Sequence, residues 1–318
     1  MANTFYADSS ETRVALIPET DWGTTPSTPA FKTMRVTSES LTLETETAQS
    51  NEIREDRNVS DLIRMSEATG GSIEMELSHD DVTNLLMESA LQSSFTANVM
   101  ENGVAQKSFT IERLFKSTSS GTATNTFVRH TGMLVDTMSI SMSAGSMITT
   151  SYGFVGKQAT AASTGITGAT YPPQTTSTLM SASQDFASLT MSGLSPVVSS
   201  LTLNTTNNLR RQQAVGTDTS VGIGNGRFEC TGTIDFYLED KTVLDEYLTG
   251  DNTSSLSFIL GGTANKKYKF NMPNIKFESV AVNAGGNDQD VFVSVGFRAL
   301  YDSTTLTGGT LEITNEVA

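Results

Sequence analysis

The chain has 318 residues and a formal net charge of -15, from 35 acidic and 20 basic residues. This length leaves room for two domains of ordinary size, and the negative charge disfavours unassisted binding to nucleic-acid phosphates. Cys230 is the only cysteine, which excludes an intrachain disulfide and favours folding inside a cell. No apolar run reaches the roughly 18 residues of a membrane span, and no secretion signal is evident, so we expect a soluble chain.

The N-terminal residues, 1–33, are expected to form an irregular arm. They contain a short strand-like segment, but a glycine and several prolines then interrupt regular strand pairing. The next segment, 34–46, alternates apolar and polar residues, with Leu41 and Leu43 on one side. This alternation predicts a strand that buries one face.

Two long polar segments stand between predicted strands. The first, 47–70, is rich in charge and poor in apolar residues, and the second, 205–230, contains two adjacent arginines and four glycines. Connections of about 24 residues are long for a compact domain and are usually functional or disordered. Because such a segment occurs twice, we interpret both as functional.

A strand leading directly into a short helix is also predicted twice. Residues 73–77 and 234–238 alternate apolar and polar residues, with acidic side chains on the polar face. Ser78 with Asp81 resembles a capping box, and Asp240 is suited to cap the second helix. We therefore expect one short helix on a sheet in each half. Further strand-like segments are 108–115, 133–142, 147–155, 256–260, 268–272, 275–282 and 291–301.

The order of these elements predicts a tandem duplication. The Ser-Leu pair at 40–41 recurs at 200–201, and the Gly-Phe pair at 153–154 recurs at 296–297. A repeat of this length fits a duplicated domain better than a solenoid unit. The predicted organisation is an N-terminal arm (1–33), a first β domain (34–158), a connector rich in Ser, Thr, Ala and Gly (159–198) and a second β domain (199–318).

No motif in the chain predicts catalysis, metal binding or a cofactor. His79, His130 and Cys230 occur in unrelated contexts, so a structural zinc site is not expected. No Gly-x-Ser-x-Gly elbow stands between a strand and a helix. The glycine-rich segment 222–226 is followed by a strand rather than a helix, which favours a loop tip over a phosphate site. We predict that the protein is not an enzyme.

Residues in both halves resemble the major tail tube proteins of long, non-contractile-tailed bacteriophages. The segments that carry the resemblance are 35–41, 50–57, 71–86, 207–211 with Gly216, 226–232, and 268–277 around Pro273. The resemblance implies a mainly β fold, a β-sandwich or barrel-like sheet with one short flanking helix, present here in two tandem copies.

The resemblance also implies an assembly. Family members form sixfold or pseudo-sixfold rings that stack into a tube, so a chain with two domain copies would complete the ring as a homotrimer, with a homohexamer as the alternative. The implied partners are tape measure, tail terminator and distal tail proteins, with DNA passing through unbound and no membrane contact. The expected location is the virion tail, after assembly in the bacterial host cytoplasm. A phage or bacterial β-sandwich binding or decoration protein that forms discrete oligomers is the alternative function.

Two groups of residues are candidate sites in such a tube. Stacking requires a contact device, and the long polar segments contain apolar and basic residues suited to ordering on the next ring. The candidates for contact between rings are Ile53, Arg54, Arg57, Leu62, Ile63, Arg210 and Arg211. An acidic wall repels DNA weakly and leaves no cationic trap. The candidates for lining the lumen are Glu44, Glu46, Glu74, Glu76 and Asp235. An outer-surface position or pairing with arginine is the alternative for each.

Overall fold

Antiparallel β-strands are the main secondary structure of the described residues. The structure is a computed structural model that describes residues 4–119, 122–191, 195–239, 241–249, 254–288, 290–302, 304 and 309–317. The strands are β1 (Arg13–Pro18), β2 (Lys32–Thr33), β3 (Ser38–Glu39), β4 (Thr42–Gln49), β5 (Leu62–Glu76), β6 (Val99–Glu101), β7 (Phe109–Ser119), β8 (Thr122–Ser143), β9 (Thr149–Gly156), β10 (Gln158–Ala162), β11 (Phe186–Met191), β12 (Val198–Thr206), β13 (Arg210–Gln212), β14 (Gly222–Gly224), β15 (Glu229–Tyr237), β16 (Ser254–Leu260), β17 (Tyr268–Ala284), β18 (Val291–Ala299) and β19 (Glu312–Thr314). The helices are a 3-10 turn (Ser9–Glu11), α1 (Asp81–Leu91) and α2 (Thr242–Thr249).

The first half of the chain, which we define as residues 13–162, forms its sheet around the long strand β8. β5 lies between β4 and β9, and β9 lies between β5 and the C-terminal part of β8. The N-terminal part of β8 pairs instead with β7 on one edge and with β10 on the other. β1 pairs with the outer edge of β7.

The second half, residues 186–314, has the same order of pairings around β17. β15 lies between β12 and β18, and β18 lies between β15 and the C-terminal part of β17. The N-terminal part of β17 pairs with β16 on one edge and with β19 on the other. β11 pairs with the outer edge of β16, as β1 does with β7.

The strand register also agrees at one close approach in each half. Gly71 lies opposite Phe154 in the first half, and Gly232 lies opposite Phe297 in the second. The residue that precedes each phenylalanine is a glycine, Gly153 in β9 and Gly296 in β18, and it faces a β-bulge in β8 or in β17. A side chain at either of these glycines would collide with a hydroxyl on the bulged strand, which explains why the Gly-Phe pair occurs twice.

Helix α1 forms at the position that the sequence predicts. Its N-cap is Asp80, whose side chain accepts a hydrogen bond from the Thr83 backbone N–H at 2.9 Å, so the predicted capping role of Ser78 is wrong. The Ser78 hydroxyl instead donates to the Asp80 carboxylate at 2.6 Å. Helix α2 is also present, and its predicted cap, Asp240, lies outside the described residues.

One continuous apolar core runs through both halves because β8 and β12 pair directly. Their antiparallel pairing runs from Ser143 opposite Ser200 to Thr137 opposite Thr206. Ile140 and its partner Leu203 are both fully buried in the core at this joint. The two halves are therefore joined edge to edge within a single sheet.

Three expectations for the strands require correction. The N-terminal region is not only an irregular arm, because β1 pairs with β7 and its residues Ala15 and Leu16 are fully buried. The predicted connector contains β10 and β11, each of which is paired within one half. The prediction that Leu43 is buried is wrong, because β4 is exposed along its whole length and only the preceding Leu41 enters the core.

Candidate lumen and polymerisation surfaces

One face of the sheet formed by β4, β5, β9, β8, β12, β15, β18 and β17 points away from the apolar core. Because neighbouring strands pair residue against residue, side chains on this face form rows across both halves. One row consists of Glu74, Ser151, Ser139, Asn204, Thr231 and Arg298. The next row consists of Glu76, Thr149, Ser141, Thr202, Thr233, Gly296 and Ser279. We call this surface the polar face, and short hydroxyl side chains dominate it.

Three of the predicted lumen residues, Glu74, Glu76 and Asp235, project from the polar face. Strand alternation determines this placement, because their neighbours in sequence, such as Ile73 and Ile234, are fully buried. The Ser38 hydroxyl donates to Glu74 at 2.7 Å, and the Ser200 hydroxyl donates to Asp235 at 2.7 Å. Both partners are neutral hydroxyls, so neither of these hydrogen bonds supplies a positive charge.

The other two predicted lumen residues, Glu44 and Glu46, lie on β4, where the sheet extends as a two-stranded ribbon. Both are exposed and fall on the polar side of the ribbon by strand alternation. Arg211 forms an ion pair with Glu44 at 2.9 Å, so the alternative of pairing with arginine holds for this residue. Glu46 accepts a hydrogen bond from the Ser66 hydroxyl at 2.9 Å.

Residues 50–61 connect β4 to β5 at the tip of this ribbon and are almost all exposed, and we call this segment the arm. Ile53 is 102% exposed relative to its reference, and Leu62 and Ile63 are 62% and 55% exposed where β5 begins. Arg54 forms ion pairs within the arm, with Glu52 at 3.1 Å and with Asp56 at 3.0 Å. Arg57 is exposed and has a left-handed backbone conformation, with φ of 60°. Apolar side chains exposed in this way are suited to contact with another molecule.

The second long segment, 205–230, does not project as predicted but packs against the first half. The Arg211 guanidinium donates to the Thr69 carbonyl at 2.8 Å in addition to its ion pair with Glu44. The Glu67 backbone N–H donates to the Asp218 carbonyl at 2.7 Å. Arg210 is exposed and donates within its own segment, to the Asn225 carbonyl at 3.3 Å. The expectation of two outstretched segments therefore needs correction, since only the arm extends away.

Sequence reasoning missed the residue that holds the joint between the halves. Asn207 is 5% exposed, and its side-chain amide donates to the carbonyls of Ala90 in α1, at 2.9 Å, and Val135 in β8, at 3.0 Å. A single asparagine at the end of a strand carries no sequence signal for this role. Its only context was the polar composition of segment 205–230, which indicated a loop.

A buried charge cluster that also escaped prediction fixes β1 and the connector to the sheet. Glu112 of β7 is fully buried and forms ion pairs with Arg13 at 3.1 Å and Arg129 at 2.8 Å. The Tyr171 hydroxyl donates to the same carboxylate at 2.6 Å. With two cations and a hydroxyl around it, the carboxylate is compensated, so this cluster is structural.

Among the described residues, no three His, Cys, Asp or Glu side chains are grouped to hold a metal ion. Burial raises the pKa of the Cys230 thiol to about 12 and lowers the pKa of His130 to about 4. In the same part of the chain, no helix is long and apolar enough to cross a membrane.

No curated protein matches the chain. The model of the phage tail tube protein family matches residues 9–299, which include every element from the 3-10 turn to β18. Members of this family are structural, non-enzymatic proteins that polymerise with themselves in the virion tail. Because the match extends over most of its length, this chain belongs to the phage tail tube protein family.

Proposed function

We propose that this protein forms the tube of a long, non-contractile phage tail from stacked rings of three chains. The observation that carries the proposal is the matching arrangement of the two halves. Each has the same order of pairings, with Gly71 opposite Phe154 in one and Gly232 opposite Phe297 in the other. This agreement supports two copies of one tube domain in the chain, and three such chains supply six copies to a ring.

The proposed domains are 34–158 and 199–318, separated by the connector 159–198 and preceded by residues 1–33. β1 and β11 lie outside these limits, yet each adds a strand to the corresponding position of its half. We therefore propose that each copy also includes the strand upstream of its domain. A ring of six chains is the alternative, and it would contain twelve domain copies.

The polar face is the proposed wall of the lumen. Hydroxyl side chains bind water and carry no charge, and the acids Glu74, Glu76 and Asp235 lie on this face, where Glu74 and Asp235 accept hydrogen bonds from neutral serines. A polyanion would meet weak repulsion and few cations there, so DNA passes without being held. The double variant E74K/E76K should slow DNA release from assembled virions at low salt, with E11K as the control, because Glu11 is exposed on the 3-10 turn and does not belong to the polar face. Unchanged release would contradict the placement.

The arm is the proposed contact between rings. It extends beyond the body of the sheet with Ile53 fully exposed, and burial of such a side chain on a neighbouring subunit gives roughly 1.5–3 kcal/mol. Arg54, Arg57, Leu62 and Ile63 are exposed beside it and belong to the same proposed contact. Arg210 stays a candidate, whereas the intrachain ion pair of Arg211 makes it a support for β4 instead. The other proposed partners are the tail terminator and distal tail proteins at the ends of the tube and the tape measure protein inside it.

Negative-stain electron microscopy and native mass spectrometry of the purified protein test this function. We expect uniform tubes in the micrographs and, in the mass spectra, rings with the mass of three chains. During infection, the proposed place of assembly is the host cytoplasm. Six copies per ring would refute the trimer while retaining the tube. Isolated particles or discrete oligomers without any tube would favour a binding or decoration protein.

A further inference from the structure

Two strand edges at opposite ends of the sheet lack a partner among the described residues. β4 pairs along one edge only, with β5, and residues 279–284 of β17 pair along one edge only, with β18. Apolar side chains are exposed beside both open edges, with Leu43 at 47% and Val282 at 44%. An open edge flanked by apolar side chains readily pairs with another strand.

The joint within the chain indicates what these edges bind. β8 holds the position in the first half that β17 holds in the second, and β12 holds the position of β4. Where β8 meets β12, Leu203 lies opposite Ile140, and both are fully buried. At this joint, the pairing of the two edges therefore buries apolar side chains in one continuous core.

We propose that β17 of one chain pairs antiparallel with β4 of a second copy, in the register of the β8–β12 joint. This inference rests on the proposed ring assembly. The partner is the same protein because each chain carries both open edges. Among the described residues, no strand of the same chain pairs with either edge. A head-to-tail contact of this kind closes into a ring when the rotation per chain permits it.

The register on the β4 side follows from the glycines of the neighbouring strands. Leu203 lies opposite Gly232 in the second half. In the first half, Glu39 lies opposite Ile73 and Thr42 opposite Gly70, so Leu41 lies opposite Gly71. A Cβ atom on Gly71 would also meet the Leu41 Cα at 2.8 Å. Leu41 is therefore the equivalent of Leu203.

The register on the β17 side follows from the bulges. The bulge of β8 lies between Val135 and Thr137, and the bulge of β17 lies between Phe277 and Ser279. Counting an equal number of residues from each bulge makes Val282 the equivalent of Ile140. Its partner in the second copy is then Leu41.

This register predicts the complete contact. Leu43 lies opposite Val280, and the exposed apolar area of Leu43 and Val282 is removed from water on the core side of the sheet. On the opposite side, Glu44 lies beside Ser279, so the rows of the polar face continue from one chain to the next. The hydrogen-bonding edge and the apolar side chains are satisfied by the same pairing.

Disulfide cross-linking in assembled tubes tests the pairing and its register. Residues directly opposite each other have Cα atoms about 4.5–5.5 Å apart, within the range of about 4.4–6.8 Å that a disulfide spans. The test variant is Leu43→Cys with Val280→Cys. The matched control is Leu43→Cys with Val282→Cys, which is the pair that the Ser-Leu repeat at 40–41 and 200–201 would predict. The native Cys230 is fully buried, so we expect that it forms no cross-link.

We expect mild oxidation of tubes to link the first pair into covalent multimers and to link the control pair much less. Preferential linking of the control pair overturns the proposed register. Tubes that form normally but link at neither pair overturn the strand pairing. Wild-type protein that gives no rings or tubes refutes the proposed function itself, so the two failures are distinguishable.

A charge at the edge provides a second test that does not depend on cysteine chemistry. Val282→Asp places a carboxylate at an exposed position, so the subunit should fold, with an unchanged circular dichroism spectrum, and fail to assemble. Val104→Asp is the matched control, because Val104 is 83% exposed in a loop away from both edges. Normal tubes from Val282→Asp would overturn the pairing.

Discussion

The joint between the halves depends on Asn207, and its substitution gives the most direct test of the fold. The side-chain amide donates to two carbonyls, at 2.9 Å and 3.0 Å, from a position that is 5% exposed. Asn207→Ala removes both hydrogen bonds, each with a net contribution of about 0.5–1.5 kcal/mol, and leaves two acceptors poorly satisfied. We expect the free energy of unfolding to fall by roughly 2–4 kcal/mol.

Urea unfolding of unassembled subunits, followed by far-UV circular dichroism at low protein concentration, measures this change. Asn204→Ala is the control, because Asn204 belongs to the same strand and projects into solvent from the polar face. Its effect should stay within about 0.5 kcal/mol. If Asn207→Ala were no more destabilising than Asn204→Ala, the joint would not depend on this amide, and our account of how the halves are held together would be refuted.

Three further predictions address the close approaches, the buried imidazole and the arm. Gly153→Ala should lower the free energy of unfolding, measured by urea titration, by about 1–3 kcal/mol, and Gly296→Ala should lower it by less. Gly153 faces Thr137, whose side-chain rotation replaces one clash with another, whereas Gly296 faces the smaller Ser279. Burial lowers the pKa of His130 from its ordinary 6.5 to about 4, so the contribution of His130 to stability should be constant above pH 6.5 and fall towards pH 4. His130→Gln should therefore reduce the slope of stability against pH in this range, and the rest of the slope comes from groups such as His79, whose pKa burial also lowers. Deleting residues 51–60 should give folded subunits that sediment as rings without tubes; tubes of normal length would contradict the arm contact.

The strands that alternate strictly could be predicted from the sequence because burial imposes a period of two on them. Ile73 and Met75 in β5, and Ile234 and Phe236 in β15, are buried as the alternation indicates. β4 carries the same pattern at Leu41 and Leu43 but continues beyond the body of the sheet, so Leu43 has nothing to pack against in the isolated chain. Alternation predicts which side of a strand is apolar, and cannot tell whether another layer covers it.

Long-range contacts explain the other discrepancies. Segment 205–230 is polar, and its contacts, such as Arg211 with Glu44, join residues far apart in sequence, so composition alone indicated a free loop. The strand-like segment at β1 was assigned to an irregular arm because prolines follow it, although its run of apolar residues is typical of a strand covered on both faces. The sequence repeat aligned Leu41 with Leu201, whereas strand pairing places Leu41 at the position that Leu203 has in the second half.

The proposed tandem arrangement changes the energetics of ring formation. Association of separate chains costs about 4–15 kcal/mol in lost translational and rotational freedom, a term that a joint within one chain avoids. In a ring of linked pairs, β8–β12 joints alternate with β17–β4 joints, so only half of the joints incur this cost. Linkage also permits the two polar segments to differ. Segment 205–230 is held against β4 and β5 by Arg211, whereas the arm keeps its apolar side chains exposed for the proposed contacts between chains.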